Sequence, residues 1–167
     1  MADGERPLTA AMVDIVALDP AHPHARYCLH EYFSELEHRF DTGFDPALSI
    51  SANDEEMRPP AGLFLVARLN SDPIGCGALK FHDDAPTELK RMWVAESARG
   101  LGIGRRLLGE LESRAAEHGA GTVRLETNKS LIEAISMYRS AGYYEVAPFN
   151  DEPYAHHWFE KHIKRPV

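Results

Sequence analysis

The segment of the sequence best equipped for chemistry is a run of glycines between two arginines. Residues 99–105 read Arg-Gly-Leu-Gly-Ile-Gly-Arg, and an apolar stripe with helical spacing starts at Ile103. The first N–H groups of a helix have no partner within it and the helix dipole is positive there, so such an end attracts phosphate. Glycine has no Cβ to keep a pyrophosphate from the backbone, and the arginines add positive charge. The segment therefore predicts an anion-binding loop.

Two other interpretations of this loop compete with that one. The first is a tight turn that needs glycines for its backbone alone. The second is a dinucleotide-binding fingerprint, G-x-G-x-x-G, with Glu126 as the acid downstream. That spacing fails, because the sixth position is Arg105 when counted from Gly100 and Leu107 when counted from Gly102. Strand-rich chain also precedes the loop, whereas a Rossmann unit begins with it.

Hydrophobic spacing predicts the elements that must position the loop. Strands are predicted over residues 12–18, 63–69, 74–81, 88–94, 122–127, 143–146 and 156–163, and helical stripes over residues 29–40, 103–115 and 131–141. Residues 70–73, Asn-Ser-Asp-Pro, predict a hairpin turn between two of the strands. The order β-α-β-β-β-α-β-α-β-β predicts an α/β (α+β) fold, a mixed sheet with helices on both faces.

The ends of the last two helices carry their own signals. Ser130 and Glu133 are spaced as a capping box, with Ser130 at the N-cap and Glu133 at the third helical position. Gly119 and Gly142 follow the last apolar residues of their helices, where glycine ends a helix most readily. We therefore expect the third helix to begin just after Ser130.

Composition limits the class of protein. The 167 residues suit a single domain, 1–167, and 44% of them are hydrophobic, enough to bury a core. Lys and Arg number 18 against 26 Asp and Glu, and the resulting net charge of −8 argues against a nucleic-acid partner. Residues 1–7 hold no apolar signal region and no run is long enough to span a membrane, which favours a cytoplasmic protein without a membrane partner.

Cysteine and histidine spacing predicts neither a disulfide nor a metal site. Cys28 and Cys76 are far apart and match no metal-binding spacing, so free thiols are expected. The adjacent pair His156 and His157 lies in a predicted strand, where neighbouring side chains face opposite ways. No Cys or carboxylate completes a ligand set at familiar spacing, and we expect no metal.

Three motifs follow one another along the second half of the chain. They are Glu88-Leu-Lys-Arg-Met-Trp-Val94, then Arg99-x-x-Gly102-x-Gly104, then Ala134-x-x-x-Tyr138-x-x-x-Gly142-Tyr143. In this order they resemble the GNAT superfamily of N-acetyltransferases, in detail from about Leu63 to the C-terminus. The resemblance implies a mostly antiparallel sheet that is splayed at its central strands. It also implies an acetyl-CoA-dependent N-acetyltransferase whose acceptor amine attacks directly in a ternary complex.

The resemblance also implies where acetyl-CoA binds. Backbone N–H groups of the glycine loop would hold the pyrophosphate; the loop residues are Arg99, Gly100, Leu101, Gly102, Ile103 and Gly104, with Arg105 beside them. The strand before the loop typically carries a bulge, and Met92, Trp93 and Val94 would bind the pantetheine arm through their backbone. The N–H of Val94 would polarise the thioester carbonyl.

One position departs from the family pattern. Many members have Asn where this chain has Leu131. Asn128 is expected to serve the pantetheine arm or the sulfur instead, and a turn within the loop is the alternative role for it.

Two residues are expected to carry the proton chemistry. In the family a tyrosine at the place of Tyr138 protonates the departing thiolate, and a phenol with a pKa of about 10 holds its proton at neutral pH. Ordinary core packing is the alternative for Tyr138. Glu88 is the candidate base that deprotonates the acceptor ammonium, and an exposed place at a strand end is the alternative for it. Further candidate bases are Glu126, Asp83, Asp84 and Tyr154.

The acceptor is expected to be a small-molecule or peptide amine. In the family the first helix, the loop after it and the last strands shape the acceptor pocket; here these segments hold Tyr32, Glu35, Phe40, the acidic run 54–56, Tyr154 and Trp158. Acidic groups beside aromatic rings suit a cationic amine, although a solvated surface explains the acidic run better.

A catalytically weak acyl-CoA-binding module that acts through a protein partner is the alternative function. A homodimer could form if the C-terminal strand, 158–163, is a sheet edge.

Overall fold

Seven strands and three α-helices follow one another in the part of the chain that the computed structural model describes, residues 12–50 and 52–164. Their bounds are β1 Val13–Ala17, α1 Pro23–Arg39, β2 Gly62–Leu69, β3 Asp72–Lys80, β4 Thr87–Val94, α2 Ile103–Glu117, β5 Thr122–Thr127, α3 Ile132–Ser140, β6 Tyr144–Val146 and β7 His157–His162. Short 3-10 turns lie at Pro46–Leu48, Glu55–Met57 and Glu96–Ala98. The predicted order of elements is confirmed, while the expectation for residues 1–7 lies outside the described ranges.

These strands join in one sheet with the order β1-β2-β3-β4-β5-β7-β6. The β4–β5 pair is parallel and the other neighbouring pairs are antiparallel. Residues of α1 pack on one face, and those of α2 and α3 on the other. The predicted mixed, mostly antiparallel sheet with helices on both faces is therefore confirmed.

The predicted hairpin joins β2 to β3 through a two-residue turn. Asn70 and Ser71 both lie in the left-handed region, with φ of 49° and 73°. Positive φ at both turn positions is what a type I′ turn requires, because its twist matches that of the flanking strands. The strands pair from Asp72 opposite Leu69, so β3 begins two residues before its prediction.

Two apolar layers cover the two faces of the sheet. The α2 side holds fully buried Leu107 and Leu111 against Leu79. The α1 side holds Cys28 and Cys76, both fully buried and both free thiols, as predicted. Since β4 is covered on both faces, its charged residues Glu88, Lys90 and Arg91 are held away from bulk water.

The sheet opens between its two central strands. The parallel pairing of β4 and β5 extends over only two positions, Thr87 with Val123 and Glu88 with Arg124. Beyond these positions the two strands no longer pair, while β4 stays bonded to β3 and β5 to β7. The splay that the resemblance implies is present, and it leaves a gap at the carboxyl ends of β4 and β5.

A β-bulge bends β4 at the start of this gap. Cys76 pairs with Trp93, and Ala78 pairs with Lys90. Two residues of β4, Arg91 and Met92, therefore lie opposite the single residue Gly77 of β3. Arg91 has a φ of 59°, a conformation that side-chain-bearing residues rarely adopt. The bulge therefore changes which way the side chains after Lys90 point.

The predicted capping box at the start of α3 is wrong. The N-cap is Leu131 and no side chain caps the helix. Arg39 of α1 takes one group that the box would use, because its guanidinium donates to the Glu133 carboxylate at 2.7 Å, and it also donates to the Ser130 carbonyl at 2.8 Å. Asn128 Oδ1 accepts from the Ser130 N–H at 2.8 Å. A tertiary contact thus replaces the local motif.

The C-terminal strand is not an edge. β7 lies between β5 and β6, and both of its sides are paired. The dimer interface that was expected at an exposed 158–163 strand therefore has no basis, since β1 and β6 form the edges of the sheet. A homodimer by another route stays a prediction.

Two further properties hold for residues 12–50 and 52–164. None of the helices there is long and apolar enough to cross a membrane. Within the same ranges, no group of three or more His, Cys, Asp or Glu side chains is placed to hold a metal ion.

Two glycine-to-alanine changes test the packing, and they have opposite signs. A Cβ on Gly62 would lie 1.9 Å from the Glu56 carbonyl oxygen and 2.4 Å from that of Leu79, so Gly62→Ala must move backbone. We expect it to lower the free energy of unfolding by about 3 kcal/mol. Gly109 lies inside α2 with nothing within 4 Å of its added Cβ, so Gly109→Ala should raise that free energy by about 0.5–1 kcal/mol. Urea unfolding measures both, and equal effects would contradict the close approach at Gly62.

Candidate active site

Two cavities open in the gap between β4 and β5. The larger, of about 390 Å³, is lined by the end of β4, the glycine loop and the start of α2. The smaller, of about 90 Å³, is lined by the bulge of β4, β5, the end of α1 and the loop before β7. Six residues line both cavities and mark where they meet: Tyr32, Leu36, Met92, Leu131, Ala134 and Tyr138.

The larger cavity collects the residues predicted to bind acetyl-CoA. Met92, Trp93, Val94, Arg99, Gly100, Gly102, Ile103, Gly104 and Arg105 line it. Leu101 does not; its side chain packs, partly buried, against the α2-side core. Asn128 lines the smaller cavity, and its Nδ2 donates to the Tyr154 carbonyl at 2.8 Å while its Oδ1 holds the Ser130 N–H. Both ends of the Asn128 amide thus brace the loop before α3.

The glycine loop forms an open cradle at the start of α2. Gly100 and Gly102 have φ of 86° and 73°, and nothing lies within 4 Å of a Cβ added to either. Gly102 is the N-cap of α2, so the unpaired N–H groups of the first helical turn follow directly. Gly104 faces α3, because its added Cβ would lie 3.1 Å from Met137 Sδ. The backbone shape and the open space suit a diphosphate.

The backbone of Val94 points into the gap. The Ala95 N–H donates to the Ile74 carbonyl at 2.8 Å, and Val94 lies opposite Gly75. Hydrogen-bonded and non-bonded pairs alternate along an antiparallel ladder, so the N–H and C=O of Val94 turn away from β3. The C=O accepts from Arg99 Nε at 3.2 Å, which leaves the N–H directed at the gap.

Ion pairs fix the wall of the larger cavity. Arg99 pairs with Glu35 of α1, and Arg39 pairs with the same carboxylate at 3.3 Å and with Glu133 of α3. Glu35, predicted to lie in the acceptor pocket, therefore belongs to the wall that joins α1 to the glycine loop. The contacts tie α1, α3 and the loop together around the opening.

Tyr138 lies at the junction of the cavities. Its side chain is 5% exposed, and its ring packs against Tyr143 and Phe159 at centroid distances of 5.7 and 6.4 Å. Within residues 12–50 and 52–164 its hydroxyl makes no hydrogen bond to a protein group. Burial, reinforced by Tyr32 and Glu126, raises the pKa of Tyr138 well above its ordinary value. The phenol is part of the core by packing, and Tyr138 also lines both cavities.

Glu88 lies outside both cavities, in a buried ion cluster. Its carboxylate contacts Arg124 Nη2 at 3.0 Å and Lys90 Nζ at 3.1 Å. Burial opposes ionisation, but Lys90 and Arg124 outweigh it and lower the pKa of Glu88 below its ordinary value. The structure therefore does not bring Glu88 to the cavity that holds Tyr138.

Glu126 is the carboxylate beside Tyr138. It lines the smaller cavity, and its Oε1 accepts from Lys90 Nζ at 2.6 Å. Its Oε2 is buried and has no hydrogen-bond partner within the described ranges. Of the other candidate bases, Tyr154 lines the cavity but its hydroxyl accepts from the Asp45 N–H at 2.9 Å.

The remaining predicted residues divide between cavity and surface. Tyr32 and Phe40 line the smaller cavity, whereas Trp158 does not and donates its indole N–H to Asn150 at 2.9 Å. Asp83 and Asp84 are exposed. The acidic run 54–56 lies outside the cavities, and its carboxylates pair with Arg26, Arg58 and Lys80. The surface interpretation of that run therefore agrees with the structure.

Three charged residues of the smaller cavity were missed: Lys90, Arg91 and Glu152. All three are at most 9% exposed. The signal for the first two was present, since two adjacent cations in a strand that is covered on both faces must each find a buried partner. Glu152 lies in a loop after β6, and no local pattern distinguishes it.

The sequence of this chain matches a known protein family. The sequence model of the acetyltransferase (GNAT) family matches residues 26–143. The IAA acetyltransferase of Azospirillum brasilense is 32% identical over 165 residues, which cover 98% of this chain and 95% of that protein.

Solved structures share the fold. A GNAT-family acetyltransferase of Staphylococcus aureus superposes with a TM-score of 0.76 at 21% identity, over 91% of this chain and 99% of that chain. A Bacillus anthracis acetyltransferase in complex with acetyl coenzyme A superposes with a TM-score of 0.58 at 21% identity, over 68% of this chain and 69% of that one. The chain therefore belongs to the acetyltransferase (GNAT) family and is an acyltransferase.

Proposed function

We propose that this acyltransferase moves the acetyl group of acetyl-CoA to a primary amine, by direct attack in a ternary complex. The larger cavity takes acetyl-CoA and the smaller takes the amine. The observation that carries the proposal is the Tyr138 hydroxyl, unpaired with protein and placed where the two cavities meet. A group transferred from one cavity to the other passes this hydroxyl.

The residues of the larger cavity fit acetyl-CoA. Gly100 and Gly102 leave open space over the start of α2 for the diphosphate. The backbone of Met92, Trp93 and Val94 runs along the gap for the pantetheine arm, and the Val94 N–H is placed to polarise the thioester carbonyl. When bound, acetyl-CoA supplies an activated acyl group with a thiolate leaving group.

Glu126 is the base in this proposal. The amine arrives mostly as ammonium, since a lysine-like amine has a pKa of about 10.4, and it must lose a proton before it attacks. Lys90 holds Glu126 Oε1, and the unpaired Oε2 accepts that proton. Glu88 acts through Lys90 as a positioning residue, because both carboxylates bind the same ammonium group.

Tyr138 is the acid. As the amine nitrogen bonds to the acetyl carbon and the carbon–sulfur bond breaks, the Tyr138 hydroxyl donates to the sulfur. Burial keeps Tyr138 protonated, and the same desolvation raises the proton affinity of a thiolate formed beside it. The amine nitrogen loses two protons in all: Glu126 takes the first before the attack, and the second, lost as the amide forms, returns to the Tyr138 oxygen in place of the one given to sulfur. Glu126 then passes its proton to solvent, so each turnover releases one proton.

Replacement of Tyr138 tests the acid and the function together. Tyr138→Phe should lower kcat for release of CoA thiol by about 100-fold or more, whereas acetyl-CoA should still stabilise the variant. Acetyl-CoA at 100 times its Kd should add about 2.7 kcal/mol to the free energy of unfolding. The matched control is Tyr143→Phe, which removes a neighbouring buried hydroxyl that donates to Glu112 at 3.1 Å.

The outcomes of that experiment are distinct. No stabilisation of the wild-type protein by acetyl-CoA would reject the cofactor site. Stabilisation without thiol release across a panel of amines would favour the alternative, a weak acyl-CoA-binding module that acts through a protein partner. Release at the wild-type rate by Tyr138→Phe would reject Tyr138 as the acid.

A matched pair of variants separates the two carboxylates. Glu126→Gln and Glu88→Gln each remove one carboxylate from Lys90, and Glu88→Gln also removes the carboxylate that pairs with Arg124, so Glu88→Gln is the more disruptive change for the ion cluster. We expect Glu126→Gln to lower kcat by about 100-fold at neutral pH and Glu88→Gln by less than tenfold. The Glu126→Gln defect should shrink as pH rises towards the pKa of the amine, because less ammonium then needs a base. The reverse ranking in thiol-release assays would assign the base to Glu88.

The stabilising role of Glu88 depends on pH. Its pKa is lowered by folding, so its contribution is fully present above the ordinary pKa of 4.5 and is lost as pH falls through the folded value. Glu88→Gln should cost about 3 kcal/mol of unfolding free energy at pH 7, and this difference from wild type should vanish at acid pH. Glu110→Gln, which breaks a surface pair with Arg114, should cost less than about 0.5 kcal/mol. A cost for Glu88→Gln that is constant from pH 7 to acid pH would contradict the ion cluster.

A further inference from the structure

Arg91 is a buried cation without a carboxylate partner among residues 12–50 and 52–164. It is 9% exposed and lines the smaller cavity. Its Nη2 donates to the Ala52 carbonyl at 3.3 Å, its guanidinium lies 5.0 Å from the Phe33 ring centroid, and its Nε is buried with no hydrogen-bond partner there. A buried charge of this kind is costly unless an anion compensates it.

The neighbouring lysine shows the contrast. Lys90, the residue before Arg91, contacts carboxylates of both Glu88 and Glu126. Arg124, the other cation of that cluster, also contacts Glu88. The positive charges of the cluster are therefore matched by carboxylates, and that of Arg91 is not.

The backbone holds Arg91 where it is. The bulge of β4 places it in the left-handed region at φ 59°, and this conformation costs energy in a residue with a side chain. The Phe33 ring and the Ala52 carbonyl then fix the guanidinium. A strained, anchored and uncompensated cation suits a ligand contact better than a purely structural role.

Both carboxylates that line the smaller cavity, Glu126 and Glu152, have partners other than Arg91. Glu126 is held by Lys90 through one oxygen. Glu152 accepts from Ser49 Oγ at 2.9 Å and from the Ile50 N–H at 2.6 Å, so it closes the loop above the cavity. Neither carboxylate forms an ion pair with Arg91, and Oε2 of Glu126 has no hydrogen-bond partner within the described ranges, so Arg91 is available to bind an incoming anion.

Arg91 and Glu126 act on a common point in the cavity. Burial raises the pKa of Tyr32 to about 12, with the charge of Arg91 opposing this rise and that of Glu126 adding to it. Both charges are therefore close enough to one hydroxyl to act on its pKa. Tyr32, Arg91 and Glu126 all line the smaller cavity, so one small molecule bound there can contact both charges.

We propose that the acceptor is a free amino acid, whose carboxylate Arg91 binds while its amine faces Glu126. This rests on the proposed function of the same site. The cavity, of about 90 Å³, suits a compact molecule. A guanidinium binds a carboxylate through charge-assisted hydrogen bonds, and an amine without a carboxylate leaves Arg91 unpaired. A polyamine would instead bring a second cation towards it.

Matched substrates test the proposal on the wild-type protein. The standard amino acids are compared with their carboxamides and with the amines that lack the carboxyl group, by release of CoA thiol from acetyl-CoA. We expect kcat/KM for the preferred amino acid to exceed that of its carboxamide by about 10- to 100-fold. Equal or faster acetylation of the carboxamide or the decarboxylated amine would overturn the proposal.

Arg91 variants assign that preference to the residue. Arg91→Gln should lower kcat/KM for the amino acid by about 10- to 100-fold and change that of the carboxamide by less than threefold. Arg91→Lys, which keeps the charge without the guanidinium fork, should retain an intermediate preference. Arg114→Gln on the outer side of α2 is the control, and it should leave both substrates unchanged. An equal loss for both substrates in a folded Arg91→Gln would also overturn the proposal.

The thermal shift on adding acetyl-CoA distinguishes failure of the amino-acid proposal from failure of the proposed function. A retained thermal shift shows that a variant is folded and binds acetyl-CoA; if Arg91→Gln does not fold, the wild-type comparison of amino acid and carboxamide decides. Thiol release with amines that lack a carboxylate, and not with amino acids, would refute the amino-acid acceptor but keep the acetyltransferase. No thermal shift and no thiol release with any amine would refute the proposed function itself.

Discussion

The early end of pairing between β4 and β5 is the constraint on which the rest of the structure depends. Once the two parallel strands separate, the backbone of β4 near Val94 has no partner on one side. Unpaired backbone N–H and C=O groups must bind something, and a ligand with a polar arm can take the place of the missing strand. The helices that follow these two strands, α2 and α3, start at the same gap. Their unpaired N–H groups add to its capacity for polar ligands.

The bulge of β4 uses the same gap to place charges. Regular alternation would put Lys90 and Arg91 on opposite faces of the sheet. The extra residue in β4 disrupts that alternation, and both side chains line the smaller cavity. The cost of burying them is offset unequally, because Lys90 has two carboxylates and Arg91 has a ring and a carbonyl. In our proposal this inequality gives the site a preference for a carboxylate-bearing acceptor.

Local sequence signals predicted the elements well and the site only in part. Alternating apolar residues predicted the strands, and apolar residues at helical spacing predicted the helices. Both patterns are local, because they reflect which faces of an element are buried. The loop from Arg99 to Arg105 could be identified since glycine and a helix start have a specific backbone chemistry. The capping-box pattern of Ser130 and Glu133 was misleading, because Arg39, distant in sequence, binds the Glu133 carboxylate and Asn128 binds the Ser130 N–H. Glu88 and Glu126 look alike in the sequence, and only the packing shows which of them reaches the cavity.

By itself, the sequence determined the order of elements, the mixed sheet, the glycine loop before α2 and the tyrosine of α3. These depend on residue type and on spacing within one element, which are local properties. The tertiary structure alone decided that Glu126 rather than Glu88 lies beside Tyr138, that β7 is internal, and that Arg91 is a buried cation without a carboxylate among the described residues. Each of those facts depends on where two or more elements meet, and the distances between elements are set by the packing of the whole sheet and its helices.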